Sequence, residues 1–396
     1  MKSIFTSDLL PTTQGRCSAE ALPLAVLCQS ADWGPVEQQT LWLAQALYHT
    51  GRPVLLLAPP AAPLLCEAQS LGLPTGAVAA GLVGIAPLAR QLRQHGTRVL
   101  LTTRPTDLGV ARLLKLWQGA TLRLVHRQLE PLAATGGLHA WWNSRHTHAV
   151  DACVAAYPRV ARQVQQHAAL DPRRLWVVPP VWLPEPRLEQ PAPPAEARHL
   201  LDLPARALLV GVVARDAAGP AFALEALYRL REEEGVAAEL VVIGCPDTPP
   251  GADYWARLRE LAGQLRLSHC VHLRPLHNAA HPVLFYQALD GLLLPDQANT
   301  AGMALLGAMA AGCPLVSQAS ADAPDLLEDG RTGLLFPVHD LARCAATLAL
   351  ALTQPGPAQR RAGRAAALVR QHCSPGRQAR QLEAIIEYVC RHETLV

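Results

Sequence analysis

The sequence lacks most of the signals that would place it outside ordinary globular proteins. It has no uninterrupted apolar run of about 18 to 20 residues, as a membrane helix requires, and no apolar run of signal-peptide type near the N-terminus. Its ten cysteines include no C-x-x-C pair and no zinc-type cluster with histidine, so neither a disulfide framework nor a metal site is indicated. We therefore expect a cytoplasmic protein that binds no metal.

Lysine is also scarce, since it occurs only at Lys2 and Lys115 and arginine supplies the remaining positive charge. Residues 1–190 carry 17 basic against 11 acidic side chains, and the remainder carries 18 against 21, which gives +6 and −3. The basic first half has two explanations: peripheral contact with an anionic lipid surface or an acidic substrate, or a solvated arginine face. We expect no nucleic-acid partner.

Short apolar segments alternate with helix-length segments along all 396 residues, which is typical of parallel βαβ units. The strand candidates are LAVLCQ, PVLLLAP, RVLLTT, LRLVH, DACVAA and LWVVPP in the first half and LLVGVVA, AELVVIG, CVHLRPL, DGLLLP, CPLVSQ and TGLLFP in the second. The proline-rich segment 185–198 between the two groups is predicted to be a linker. The pattern predicts an α/β protein with two Rossmann-like domains facing across a cleft.

One segment, DQANTAGMALLGAMAAG from Asp296, has the form of a phosphate-binding loop. It follows a predicted strand and runs into a predicted helix, and Gly302 would let the backbone approach a ligand. An ordinary strand-loop-helix unit explains the same pattern. Neither half has G-x-G-x-x-G after its first strand, which disfavours a dinucleotide-binding enzyme.

From about Leu208 to Leu352 the chain resembles the donor-binding domain of the family-four retaining glycosyltransferases of GT-B fold. The matching landmarks, in order, are GVVAR, ELVVIG, LLLPDQANTAGMALLGAMAAGCPLV and APDLLEDGRTGLLFPVHD. The resemblance implies an acceptor-side domain over 1–190, a nucleotide-sugar-binding domain over 191–375 and a last helix over 376–396 that crosses back to the first domain. It implies a nucleotide-diphospho-sugar as donor substrate, with no further cofactor.

The resemblance also assigns donor-side residues, and several depart from the family pattern. The two glutamates of the family's Glu-x7-Glu signature fall on Asn299 and Gly307. The transferred sugar would therefore meet the uncharged side chain of Asn299, and the ribose would meet no side chain at Gly307. Arg215 matches the first member of the family's basic pair for the leaving diphosphate, and no second basic residue follows. The remaining residues predicted to contact the donor are those around the start of the helix and Gly307 within it. They are Thr300, Ala301, Gly302, Met303, Ala304 and Gly307.

On the acceptor side, SADWGPVEQQ is similar to the family's Gly-Gly-x-Glu loop, with Gly34 and Glu37 at the matching places and Pro35 in place of the second glycine. His126 falls where the family often has a histidine beside the sugar or acceptor, although a histidine after a strand is commonly structural. Arg104 flanks the same predicted edge, where a solvated surface charge is the alternative.

The resemblance implies transfer of a sugar, of hexosyl type and with retention, to a lipid-linked, polysaccharide or small-molecule acceptor. His126, Arg215 and Asn299 are the predicted catalytic residues. The alternative is a weak or inactive relative that serves as a partner or scaffold subunit, because losing one electrostatic contact to a leaving group costs on the order of 3 kcal/mol in the transition state.

Overall fold

A computed structural model describes residues 22–79, 81–131, 149–168, 170–183, 192–214, 218–244, 251–275, 282–295, 302–320 and 323–391. The chain divides into two compact units, and within the described residues it passes between them twice, after residue 183 and after residue 371. We call them the N-terminal unit, which also includes the residues after 371, and the C-terminal unit. Each is described separately below.

Each unit is built on one parallel sheet. The N-terminal unit has seven strands in the order β3-β2-β1-β4-β5-β6-β7, and the C-terminal unit has six in the order β10-β9-β8-β11-β12-β13. The strands are β1 (Leu24–Leu27), β2 (Val54–Ala58), β3 (Thr75–Ala77), β4 (Val99–Thr102), β5 (Arg123–Gln128), β6 (Ala152–Ala155), β7 (Leu175–Val177), β8 (Leu208–Ala214), β9 (Ala238–Gly244), β10 (Val271–Pro275), β11 (Gly291–Leu294), β12 (Leu315–Gln318) and β13 (Leu334–Phe336).

Helices connect the strands and cover the sheets. They are α1 (Pro35–His49), α2 (Pro63–Ser70), α3 (Ile85–Gln94), α4 (Leu108–Gln118), α5 (Pro158–Ala168), α6 (Pro194–Leu200), α7 (Ala218–Glu232), α8 (Gly251–Gln264), α9 (Pro282–Ala288), α10 (Met303–Ala310), α11 (Ala323–Leu326), α12 (Leu341–Thr353), α13 (Pro355–His372) and α14 (Pro375–Arg391).

Burial explains why the strands read as continuous apolar runs. All four residues of β1 are fully buried, because helices cover both faces of the sheet. The core on one face includes residues of α1, α2 and α14, and the core on the other includes residues of α3 and α4. In the C-terminal unit a core lies between the sheet and α7, α8 and α12.

The structure differs from the sequence expectations in two elements, β3 and α6. The strand β3 was not predicted, because Thr-Gly-Ala has no apolar pattern. The proline-rich segment was predicted to be a linker through residue 198, but α6 begins within it, since Pro194 stands in the first helical turn, where its missing amide is not needed. The helix α14 starts at Pro375 and packs against α1 and β5, within the N-terminal unit.

The order of the strands fixes where a ligand can bind. In the N-terminal unit, β2 and β3 lie on one side of β1, and β4 and the later strands lie on its other side. The loops that follow β1 and β4 therefore diverge. In the C-terminal unit the same reversal falls between β8 and β11. Open α/β sheets bind ligands in the crevice at this reversal, outside the carboxyl ends of the strands.

Candidate functional site

The N-terminal unit brings three predicted acceptor-side residues together at its strand-order reversal. Gly34 and Glu37 belong to the loop after β1 and the first turn of α1, and Arg104 belongs to the loop after β4. The helix α1 lies on one face of the sheet and α4 on the other, so their loops part above β1 and β4. We call this place, lined by Gly34, Glu37, Arg104 and Asp107, the β1–β4 crevice.

Glu37 is fully buried and holds Arg104 in place. The Nε of Arg104 donates to Oε1 of Glu37 at 2.5 Å, and Sγ of Cys28 lies 3.7 Å from the same oxygen. The Arg104 side chain remains 32% exposed, and its hydrogen bond to Glu37 raises its pKa. A partly solvated guanidinium is therefore positioned by a carboxylate that has no contact with solvent.

The second carboxylate oxygen of Glu37 is the least satisfied polar atom of the crevice. Oε2 is buried and has no hydrogen-bond partner among the described residues. An unmet buried acceptor costs about 1–3 kcal/mol, so a donor from a ligand or a water would be bound favourably there. A methyl group added at Gly34 would lie 3.2 Å from this oxygen, so glycine keeps its immediate surroundings open.

Asp107 is a second buried carboxylate of the crevice, and the sequence analysis did not select it. The backbone amide of Gln29 donates to both carboxylate oxygens over long distances of 3.4 Å. Burial is the main cause that raises the pKa of Asp107 to about 7, while Arg104 opposes the shift. Its charge therefore changes near neutral pH. The signal that could have found it is its position, since it follows β4 within the same loop as Arg104.

The loop after β4 is fixed to α1 by two buried threonines. Oγ1 of Thr40 lies 2.9 Å from Oγ1 of Thr103, and Thr40 also donates to the carbonyl of Val36 at 2.7 Å. Both threonines are nearly inaccessible. Because α1 carries Glu37 and the loop carries Arg104, this contact holds the two members of the ion pair in register.

His126 lies near the carboxyl end of β5 with its ring buried. Nδ1 is 2.8 Å from Oγ1 of Thr102, and Nε2 is 2.9 Å from Oε1 of Gln128. Burial lowers the pKa of His126 to about 4, so the ring is neutral at neutral pH. Contact with a sugar or acceptor would require the ring to exchange one of these hydrogen bonds, and this role for His126 stays a prediction.

In the C-terminal unit, α10 follows β11, the strand that neighbours β8 at the strand-order reversal. Gly302 precedes α10 with φ +65°, a left-handed conformation that favours glycine. The first-turn amides of Ala304 and Leu305 face the amino end of the helix, where no earlier helical carbonyl can accept from them. Gly307 is buried in the middle of α10.

Other predicted donor residues, namely Arg215, Asn299, Thr300 and Ala301, lie outside the described residues. The described neighbour of Arg215 is Ala214, the last residue of β8, and Gly244 at the end of β9 packs directly against it. A methyl group at Gly244 would come 2.9 Å from Cβ of Ala214 and 3.0 Å from its carbonyl oxygen. Glycine at this place therefore lets the last residues of β8 and β9 lie side by side.

In the run APDLLEDGRTG, the short helix α11 is followed by a tight turn. Oδ1 of Asp329 accepts from the amide of Leu335 at 2.9 Å, and Gly330 has φ +73°. A methyl group at Gly333 would meet Leu327 at 3.1 Å. Asp325, which stands where the family has glutamate, is buried in α11. These contacts explain the spacing of Asp329, Gly330 and Gly333 in this run.

Among the residues of the described ranges, no helix is both long and apolar enough to cross a bilayer. Within the same ranges, histidine, cysteine, aspartate and glutamate form no group of three that could hold a metal ion.

Solved structures of glycosyltransferases share this fold across both units. The chain is similar to a glycosyltransferase from Rickettsia africae, with a TM-score of 0.80 and 15% identity over 95% of this chain and 100% of that one. It is also similar to Anabaena HepE in complex with UDP, with a TM-score of 0.79 and 16% identity over 93% and 100% of the two chains. The architecture is therefore GT-B, as predicted from the sequence.

The family follows from the sequence of the C-terminal unit. Residues 200–369 match the model of "Glycosyl transferases group 1", which confirms the resemblance found in the sequence. A D-inositol 3-phosphate glycosyltransferase from Acidothermus cellulolyticus is 31% identical over 201 residues, which cover 50% of this chain and 44% of that protein. The chain spans less than half the length of the curated relatives it matches.

Proposed function

We propose that the protein is a retaining glycosyltransferase that moves a hexosyl group from a nucleotide-diphospho-sugar to an acceptor hydroxyl. The observation that carries the proposal is the family match over residues 200–369, which contains the strand-order reversal between β8 and β11. The two loops that are predicted to bind the donor, one after β8 and one after β11, begin at this reversal. The solved structures of Anabaena HepE hold UDP or UDP-glucose, which makes a uridine donor the first to test.

The diphosphate is proposed to bind at the amino end of α10 and to Arg215. Helix amino termini favour anions through free amides and the helix dipole, and Gly302 has the backbone conformation that brings α10 close to a ligand. In the reaction the bond between the sugar and the terminal phosphate oxygen breaks, the acceptor oxygen takes its place on the same face of the sugar, and the acceptor proton passes to the departing phosphate. The chain contributes binding and charge stabilisation to this step.

The β1–β4 crevice is proposed to bind the acceptor, and its charges favour a neutral, hydroxyl-bearing acceptor, whether a glycan, the sugar of a lipid-linked molecule or a small polyol. Oε2 of Glu37 can accept a hydrogen bond from an acceptor hydroxyl. Arg104 is already bound by Glu37, and Asp107 adds negative charge above about pH 7, which disfavours a phosphorylated acceptor. The acceptor therefore differs in charge from the D-inositol 3-phosphate that names several relatives.

A catalytically weak or inactive protein, acting as a partner or scaffold subunit, is the second candidate. It is favoured by Gly307, which is buried in α10 at the place of the family's ribose-binding glutamate. Without two hydrogen bonds to the ribose, nucleotide affinity falls by about 1–3 kcal/mol, or one to two powers of ten. Gly307→Glu should tighten nucleotide binding in a weak enzyme and Asn299→Glu should raise its turnover, whereas neither change should restore binding if nucleotide affinity has been lost.

The deciding experiment measures thermal stability against a panel of nucleoside diphosphates and nucleotide-sugars, because a ligand that binds only the folded state raises Tm by mass action. UDP or UDP-glucose is expected to raise Tm of the wild type, and Arg215→Ala should remove most of the shift. Arg360→Ala, an exposed arginine of α13, is the matched control and should keep the shift. No shift with any member, in wild type or Gly307→Glu, would contradict the transferase proposal and favour the scaffold.

A further inference from the structure

The outer face of α4 exposes three large apolar side chains. Leu113, Leu116 and Trp117 are 38%, 69% and 64% accessible, and their spacing of three and four residues puts them on one side of the helix. We call these three residues the α4 face. The opposite side of α4 packs into the core through Leu108, Val110, Ala111 and Leu114. Single exposed apolar residues are common, but an adjacent group that includes tryptophan indicates a contact surface.

Basic residues dominate the part of the sequence that contains α4. Residues 68–129 contain eight basic side chains and one acid, Asp107, which is buried in the β1–β4 crevice. The basic residues are Arg90, Arg93, Arg98, Arg104, Arg112, Lys115, Arg123 and Arg127. The elements nearest the α4 face, α3 and α4, therefore present no acidic side chain to solvent.

Four of these arginines form no ion pair with a carboxylate of the described residues and can therefore bind an anion. Lys115 and Arg123 share Asp151, at 2.6 and 3.7 Å. Arg90, Arg93, Arg98 and Arg112, by contrast, have no carboxylate partner within the part of the chain that the structure describes. The first three are exposed and the last is half-buried, and α3, which carries Arg90 and Arg93, packs beside α4.

We propose that the α4 face docks on an anionic lipid surface, with Leu116 and Trp117 entering the headgroup region and the four arginines contacting lipid phosphates. Tryptophan is favoured at the boundary between water and hydrocarbon, and basic residues around an apolar helix face select anionic lipids. A second protein that matched this surface would need its own acids around an apolar patch. A lipid surface supplies both without a specific fit. The proposal concerns attachment and does not depend on transferase activity.

Flotation of the full chain with lipid vesicles tests the proposal. The wild type should bind vesicles that contain phosphatidylglycerol and bind those of phosphatidylcholine alone much more weakly. Because each basic residue near the surface contributes about fivefold in affinity, Arg90→Gln with Arg93→Gln should lower binding about 25-fold. Leu116→Ser with Trp117→Ser should lower it about tenfold or more, since the apolar contact is lost.

Matched controls lie in the C-terminal unit. Leu350→Ser removes an apolar side chain that is 41% exposed on α12, and Arg360→Gln with Arg364→Gln removes two exposed arginines of α13. Both should bind vesicles like the wild type. Equal losses in the controls, or unchanged binding by the Leu116 and Trp117 variant, would overturn the proposal. A dimer would also overturn the proposal if sedimentation velocity detects it without lipid and the Leu116 and Trp117 variant abolishes it. A second copy of the chain would then cover the α4 face.

Discussion

Two buried carboxylates share the β1–β4 crevice but have different partners. Glu37 is bound by Arg104, whereas Asp107 accepts only long hydrogen bonds from the amide of Gln29. Arg104→Ala would leave Glu37 buried without its charge partner, which should lower the free energy of unfolding by about 3 kcal/mol. Adding Glu37→Gln should recover part of the loss, because the unpaired charge is then gone.

Urea denaturation of the two single variants and the double variant measures this coupling. Additive losses in the double-mutant cycle would show that the two side chains do not stabilise each other, contrary to their 2.5 Å hydrogen bond.

Asp107 should make stability depend on pH. Its pKa rises from 3.8 to about 7 on folding, so between these values the folded state holds more protons than the unfolded state. Stability contributed by this group is therefore present at low pH and is lost as pH rises from about 4 to about 7. Asp107→Asn removes the effect. As pH rises across that window, the free energy of unfolding of this variant should increase relative to that of the wild type by about 2–4 kcal/mol. Parallel curves of unfolding free energy against pH would contradict the assignment.

At the level of single residues, the sequence could locate the crevice but not its chemistry. Gly34 and Glu37 were found through the resemblance of SADWGPVEQQ to the family's Gly-Gly-x-Glu loop, and Arg104 was named because it flanks the same predicted edge of the sheet. The burial of Asp107 depends on α4 packing against the sheet, and the engagement of His126 depends on Thr102 from the adjacent strand β4. Contacts between elements of this kind leave no pattern in the local sequence.

Among the elements, the start of α10 can be tested through its glycine. Gly302→Ala forces a side chain into φ +65° and should lower the free energy of unfolding by about 1–2 kcal/mol. Gly363→Ala is the matched control within α13, where no atom lies within 4 Å of the added methyl group, and it should stabilise by about 0.5–1 kcal/mol. If donor binding uses the start of α10, only Gly302→Ala should also weaken UDP affinity in calorimetric titration.

The strands were predictable because parallel strands covered on both faces are continuous apolar runs, such as Leu24–Leu27. The exception, Thr75–Ala77, is an edge strand whose three residues are all at least partly exposed. Helix α6 was missed because prolines usually interrupt helices, and only their position at the start of α6 makes them compatible with it.

For the whole molecule, α14 connects the last described residues to the first sheet. Ile385 of α14 is fully buried in the core that also contains residues of β1 and α1. Ile385→Ala should destabilise the N-terminal unit by about 2–5 kcal/mol, and the matched change Leu348→Ala in α12 should destabilise the C-terminal unit by a similar amount. Hydrogen exchange read by mass spectrometry should show lost protection in residues 24–183 for the first variant and in residues 208–353 for the second. Loss confined to α14 itself would show that this helix does not stabilise the sheet.

The double passage of the chain between the units also sets an order for folding during synthesis. Residues leave the ribosome from the N-terminus, yet the face of the first sheet that α14 covers stays incomplete until residue 391 has emerged. The described residues of the C-terminal unit come from one stretch of the chain, which is synthesised earlier, by about residue 371. Although domains usually complete in the order in which they are translated, here the second unit can finish first. Until then the nascent chain exposes apolar residues of β1, β4 and α1, and this is the interval in which a chaperone would bind it.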